Sequence, residues 1–220
     1  MKAYYEAYEE RYKTIHSKGF SWAGDEETPV VLDVIRRYGL SNKVPILEIG
    51  CGEGRDAKAV LDAGYNLLAT DISPEAISYC KSRYPQHADH FGILDCLKGD
   101  CGGVFDMIYA VAVIHMLVED EDRRRFYSFI RNHLSENGVA LVCSMGDGET
   151  EFRTRAEEAF ELKERNHFSG KVLVASTSCR MVCFPSFEKE ISQAGLTVVE
   201  KGITASMPDF DSLMYVVVKV

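Results

Sequence analysis

Ile46-Leu47-Glu48-Ile49-Gly50-Cys51-Gly52-Glu53-Gly54-Arg55 is an apolar run that ends in three glycines at alternate positions. Helical spacing starts at once, with Ala57, Val60 and Leu61 inside Arg55–Ala63 and Gly64 as the stop. The stretch therefore reads as a strand over Val44–Gly50, a turn and a helix. Glycine at such a turn admits a left-handed backbone and lets main-chain atoms approach a ligand closely. The free N–H groups that open the next helix favour an anionic group.

The same rhythm continues on both sides of a second acidic position. Asn66–Thr70 reads as the next strand, and Asp71 stands at its end, 21 residues after Gly50. A carboxylate placed there can accept both hydrogen bonds of a ribose diol. Ser73 and Pro74 are an N-cap and a first helical residue. Ile77, Cys80 and Tyr84 mark that helix's buried side, and Pro85 ends it. Further strands are expected near Asp89–Leu94, at Phe105–Val113 and at Val139–Ser144. Between the last two, Glu119–Asp122 open a helix whose apolar stripe is Phe126, Phe129, Ile130 and Leu134, with Asn137-Gly138 as its end. Strands alternating with helices imply a parallel sheet covered on both faces, an α/β fold. After a helix at Ser186–Ala194, Leu196–Ile203 and Leu213–Val220 are strands with no helix between them, so that pair is expected to be antiparallel.

The glycine loop departs from the dinucleotide pattern G-x-G-x-x-G: the third glycine, Gly54, comes one residue early and Arg55 takes its place. Glu48 puts a carboxylate just before the turn, unhelpful beside a pyrophosphate but suited to a cation. S-adenosylmethionine, with a sulfonium, an ammonium, a ribose diol and no phosphate, fits this loop better than a nicotinamide dinucleotide does.

LEIGCGEGRD, with LLATDIS, FGILDCL and FDMIYAVAVIHML after it, resembles the class I S-adenosylmethionine-dependent methyltransferases. The resemblance runs from about residue 44 to 145 and resumes at PSFEKEISQAGLTVVEKG. It is closest to small single-domain members acting on small molecules, including the tellurite-resistance and thiopurine types. It implies a three-layer, Rossmann-like, seven-stranded sheet whose last strand is antiparallel. It further implies that Glu48, Gly50, Cys51, Gly52 and Gly54 surround the methionine part of S-adenosylmethionine, with Arg55 near its carboxylate. Asp71 would hold the ribose hydroxyls, Ile72 would cover the adenine, and Asp95 and the Cys96 backbone would meet its amino edge. Ala110 and Val111 would line the methyl-donor side. His115 falls where such enzymes often carry a histidine, and it is the candidate base or acceptor contact; a structural histidine is the plainer alternative. Cys51 and Glu53 read as permissive loop positions.

Tyr5, Tyr8, Tyr12 and Ile15 form a helical stripe, either packing or a lid over the cofactor. Trp22 is a pocket wall or a packing residue. Residues 1–40 are expected as a helical cap on a single domain. Residues 146–185 are the most individual part: a charged helix at Glu149–Arg165, then a hairpin of Lys171–Thr177 with Arg180–Phe184. This insertion, with Tyr12, Trp22, His115 and Met145, is expected to build the acceptor pocket, a dimer contact, or both.

Composition limits the rest. The chain has 220 residues, 46% hydrophobic and 27% charged, which is globular composition. Its net charge of −9 argues against a nucleic-acid partner and suits a small or cationic acceptor better than a polyanion. Seven cysteines without a CxxC, four of them in apolar runs (Cys51, Cys80, Cys143, Cys183), suggest a reduced, cytoplasmic protein without a metal. The pairs Cys96/Cys101 and Cys179/Cys183 are poorly spaced for zinc. The EDEDRRR run at 119–125 reads as a solvated helix start. No apolar run approaches membrane-spanning length. A monomer and a homodimer are equally compatible with these features.

Overall fold

The computed structural model describes residues 2–206 and 210–220, without the side chain of Asp211. Its helices are α1 (Ala7–His16), α2 (Pro29–Arg37), α3 (Arg55–Asp62), α4 (Pro74–Arg83), α5 (Asp120–His133) and α6 (Phe184–Gln193). Its strands are β1 (Ile46–Ile49), β2 (Leu67–Asp71), β3 (Phe91–Ile93), β4 (Phe105–Val111), β5 (Leu134–Met145), β6 (Phe152–Arg153), β7 (Leu162–His167), β8 (Gly170–Ala175), β9 (Arg180–Met181), β10 (Thr197–Ser206) and β11 (Phe210–Lys219).

Seven of the strands form one sheet in the order β10-β11-β5-β4-β1-β2-β3. Pairing is parallel from β3 through β5, and β11 runs antiparallel to both of its neighbours. The antiparallel C-terminal pair expected from the missing crossover helix is thus present. Part of its connection lies outside the described residues.

The strands are apolar on both faces because helices cover both. Ile46, Met107 and Tyr109 face α2, α3 and α4, which bring Val34, Val60 and Ile77. Leu47, Ile108 and Ala110 face α5 and α6, which bring Phe126, Ile130 and Phe187. Alternation along each strand makes the two cores of a three-layer domain. Ser73 caps α4 as its spacing implies: its hydroxyl accepts from the Ala76 N–H at 3.0 Å.

The structure corrects three readings. The helix begun at Asp120 stops at His133, before Asn137-Gly138. Leu134, the last residue of its apolar stripe, is already extended and pairs with Phe105, so the chain enters β5 without a loop. The charged helix at Glu149–Arg165 does not form. That stretch holds β6, a 3-10 turn at Ala156–Phe160 and most of β7. Phe152, Ala156, Ala159 and Phe160 are at helical spacing but form no buried face, since only Ala159 is buried, whereas β8 buries Val172 and Val174 at strand spacing. The hairpin is therefore β7–β8, turning at 168–169, while β9 pairs with β6.

Residues 1–40 divide between two places. α2 belongs to one sheet-facing core. α1 packs instead against the hairpin, where Ile15, Val172 and Val174 share a small separate core with Trp22. Among the described residues all seven cysteines are free thiols, and no helix is long and apolar enough to cross a membrane.

Candidate active site

A cavity of about 960 Å³ opens at the carboxyl ends of β1 to β5, where an open α/β sheet characteristically binds its ligand. One end is the turn after β1. Gly50, Gly52 and Gly54 all adopt left-handed backbone (φ 73°, 53° and 79°). A Cβ on Gly50 would lie 2.4 Å from Val113 Cγ2, and one on Gly52 would lie 2.8 Å from the Tyr12 hydroxyl. The loop is thus closed on one side by the segment after β4 and on the other by α1.

Three buried carboxyls surround this turn. Glu48 accepts from the Tyr109 hydroxyl at 3.0 Å. Its carboxyl is held well above the ordinary range, first by burial and then by Asp56. Asp56 accepts from the Thr28 backbone N–H at 2.6 Å and the Thr28 hydroxyl at 3.1 Å. Asp71 accepts from the Gly52 and Ser73 N–H groups, each at 2.8 Å. Burial still raises Asp71 above its ordinary value, against the pull of those two donors. Arg55 lies against Asp56 at 3.8 Å and donates to the Ser206 hydroxyl. An under-neutralised buried acidic cradle of this kind favours a cationic ligand.

Glu48, Gly50, Cys51, Gly52, Arg55, Asp71, Ile72, Asp95, Cys96 and Val111 all line the cavity. Gly54 and Ala110 do not. A Cβ on Gly54 would meet Cys80, Tyr84 and Phe91, so Gly54 lets α3 settle against α4 and β3. Ala110 is fully buried in the core on the α5–α6 side. Asp95 is already engaged: Lys98 Nζ is 3.2 Å away, and the Leu97 N–H donates at 3.0 Å.

Tyr12, Trp22, His115 and Met145 line the cavity as well. His115 is buried, and Nδ1 has no hydrogen-bond partner among the described residues. Burial, then the charges of Arg123 and Arg11, lower its pKa to about 4, so the ring is neutral at physiological pH.

Some lining residues escape sequence reasoning. Glu53 is buried and accepts from the Trp22 and Ala23 N–H groups, both at 2.7 Å, with His16 Nε2 at 2.8 Å. It therefore pins α1 and the following loop to the glycine turn. Arg11, Arg165 and Thr177 line the far end, and Ala112 the edge of β4. Ala112 and Thr177 are the two non-glycine residues with left-handed backbone among those described (φ 56° and 60°), and strain of this kind concentrates at functional sites. Arg11 was within sight, one helical turn from Tyr8 in the tyrosine stripe.

Residues 47–140 match the family described as a methyltransferase domain. That match spans less than half of the chain, and the fold as a whole is that of solved S-adenosylmethionine-dependent methyltransferases. Solved structures of that fold align over nearly the whole chain. The 1,6-didemethyltoxoflavin-N1-methyltransferase of Burkholderia thailandensis aligns with a TM-score of 0.69 at 14% identity, over 99% of this chain and 90% of that one. An S-adenosylmethionine-dependent methyltransferase of Clostridium acetobutylicum gives 0.66 at 15%, over 98% of each chain. A TehB-like methyltransferase of Corynebacterium glutamicum gives 0.56 at 17%, over 98% of this chain and 97% of that one. No curated protein sequence matches significantly. Outside residues 47–140, α1, β6, β7, the segment after β8 and β9 line the cavity.

Proposed function

We propose that the protein transfers the methyl group of S-adenosylmethionine to a small-molecule acceptor by in-line displacement. The observation that carries this reading is the glycine turn ringed by Glu48, Asp56 and Asp71 at the mouths of β1 and β2. Its excess negative charge suits a cationic cofactor, and its left-handed glycines leave space that side chains would fill. Neighbours of the same fold were solved with S-adenosylmethionine or S-adenosylhomocysteine, which supports the choice. A cavity of about 960 Å³ lies at the upper end of small-ligand sites and leaves room for an acceptor.

When bound, S-adenosylmethionine supplies a methyl group already activated on a sulfonium. The chain's own residues hold and align. Asp71 holds the ribose hydroxyls. Glu48, Gly50, Cys51, Gly52 and Arg55 surround the methionine part. Ile72, Asp95 and Cys96 frame the adenine, and Val111 borders the donor side. α1 and the β7–β8 hairpin exclude water, and alignment of this kind contributes roughly 7–11 kcal/mol to methyl transfer. His115, neutral above about pH 5 with its lowered pKa, offers a ring nitrogen to orient the acceptor. It is a weak proton acceptor, so the reading favours a nucleophile that needs little help with deprotonation.

Titration calorimetry with S-adenosylhomocysteine tests the proposal. Binding is expected, and Asp71→Ala should weaken it tenfold or more, about 1.5–3 kcal/mol for lost charged hydrogen bonds. Stabilisation by NADH instead would point to an oxidoreductase. Binding without S-adenosylhomocysteine formation across a broad acceptor panel would leave a non-catalytic binding protein.

A further inference from the structure

The two ends of the cavity carry opposite charge. The acidic side chains that line it are Glu48 in β1, Glu53 on the turn after it, Asp56 in α3, Asp71 at the end of β2 and Asp95 after β3. The end formed by α1 and the hairpin is lined by Arg11, Lys163 and Arg165 and by no carboxylate among the described residues.

Arg11 is 4% exposed. Its guanidinium donates from Nε and Nη2 to the Ala175 carbonyl at 3.2 and 2.8 Å, and from Nη2 to the Ser176 carbonyl and the Thr177 hydroxyl at 2.8 and 2.9 Å. Its Cζ lies 4.6 Å from the Tyr8 ring centroid and 4.4 Å from that of Trp22. The plane is thus fixed by aromatic contact and by neutral acceptors, with no ion pair among the described residues. Arg165 Nη2 also reaches the Ser176 carbonyl, at 3.3 Å, and likewise forms no ion pair there. Two guanidiniums therefore converge on one carbonyl. Their charges oppose each other: Arg165 is one of the groups that lower Arg11's pKa. Among the described residues no carboxylate pairs with either guanidinium; Arg165 is open to solvent, but Arg11 is a buried charge, which ordinarily has a counter-charge. Pre-oriented guanidiniums are the side chains best suited to a compact oxyanion, which they grip through paired N–H donors.

We propose that Arg11 and Arg165 form an oxyanion subsite that anchors an acidic acceptor, a small organic carboxylate or phosphate ester, with its nucleophilic atom directed toward His115 and Met145. This rests on the methyltransferase reading for the word acceptor but not for the subsite itself. The net charge of −9 suits a small or cationic acceptor better than a polyanion; the locally basic hairpin end of the cavity narrows that expectation to a small anion.

The chain has a single tryptophan, and Trp22 stacks on Arg11, so its fluorescence reads the subsite directly. The probes are cyclohexanecarboxylate, cyclohexyl phosphate and the neutral cyclohexanecarboxamide, each titrated against the S-adenosylhomocysteine-saturated protein. Saturation-transfer NMR of the ring protons serves as a second readout. At least one anion should bind about tenfold or more tighter than the amide, and comparison of the two anions distinguishes carboxylate from phosphate. Arg165→Gln should abolish that preference while leaving S-adenosylhomocysteine affinity unchanged. Arg165 is chosen because it is exposed, whereas Arg11 also holds the hairpin. Equal binding of amide and anions, no binding of either anion at millimolar concentration, or an anion preference that survives Arg165→Gln would overturn the proposal. If S-adenosylhomocysteine does not bind the wild-type protein, the methyltransferase reading fails, and the same titrations without it still decide the subsite.

Discussion

The glycine-turn end of the cavity and its hairpin end differ in how they are built. The first sits on β1, β2 and the start of α3, elements fixed by two buried cores, and its carboxyls take hydrogen bonds from main-chain N–H groups of the same turn and from Tyr109 and Thr28. The second is an assembly of segments more than 140 residues apart, as His167 Nε2 at 2.7 Å from the Ser21 carbonyl illustrates. It rests on a core of a few apolar side chains. One end is rigid, acidic and local in sequence; the other is lightly packed, basic and assembled at long range. A site divided in this way can hold a constant ligand at one end while the other adapts to a variable one.

The largest expected effect tests the rigidity of the first end. Gly50→Ala places a Cβ at φ 73°, 2.4 Å from Val113 Cγ2. The left-handed backbone should cost about 1–2 kcal/mol and the crowding about 1–3 kcal/mol. Leu173→Ser on the exposed hairpin face should change stability by less than about 0.5 kcal/mol. Denaturant unfolding of both variants gives the contrast, and similar midpoints would erase it.

An intermediate effect tests the joint between the ends. Glu53→Ala strips the acceptor from two loop N–H groups and His16, a loss of about 1–3 kcal/mol. Limited proteolysis within 17–25 should accelerate and the acceptor KM should rise, with S-adenosylhomocysteine affinity changed less than about threefold. An equal loss at both sites would mean that the two ends are one unit.

The smallest effect is a pH dependence. Glu48 is raised well above its ordinary value by burial and by Asp56. A cationic ligand lowers it again, so binding releases protons and affinity for S-adenosylmethionine should rise with pH as the raised Glu48 carboxyl ionises. The rise should be weaker for S-adenosylhomocysteine, which lacks the sulfonium. His115, with a pKa of about 4, should contribute no ionisation to the rate profile near neutrality. Calorimetry across buffers of different ionisation enthalpy reads the proton count.

The same contrast explains what was legible in the sequence. The glycine turn, Asp71, the Ser73-Pro74 helix start and the antiparallel C-terminal pair each rest on neighbours close along the chain, so local pattern suffices to place them. Glu53 looks permissive because its partners are backbone N–H groups of Trp22 and Ala23, which leave no mark in composition. The charged stretch after Glu149 invites a helix because polar residues carry no strand signal when both faces of a short hairpin strand are open to solvent, as in β7. Leu134 ends a helical stripe by spacing yet starts β5, because Phe105 on the neighbouring strand captures it. Arg11 could be placed on the helix but not opposite Arg165, a pairing created only when the hairpin folds back.

The small core in which Ile15 meets Val172 and Val174 beside Trp22 carries a consequence for inheritance. A lid made of two distant stretches that share a packing surface must change in both at once. Variants that alter the acceptor are therefore expected to arrive as matched substitutions, one before residue 24 and one after residue 161. The glycine turn meets that lid through the Glu53 carboxylate, which accepts from the Trp22 main-chain N–H, a contact that a change of side chain on the lid leaves in place.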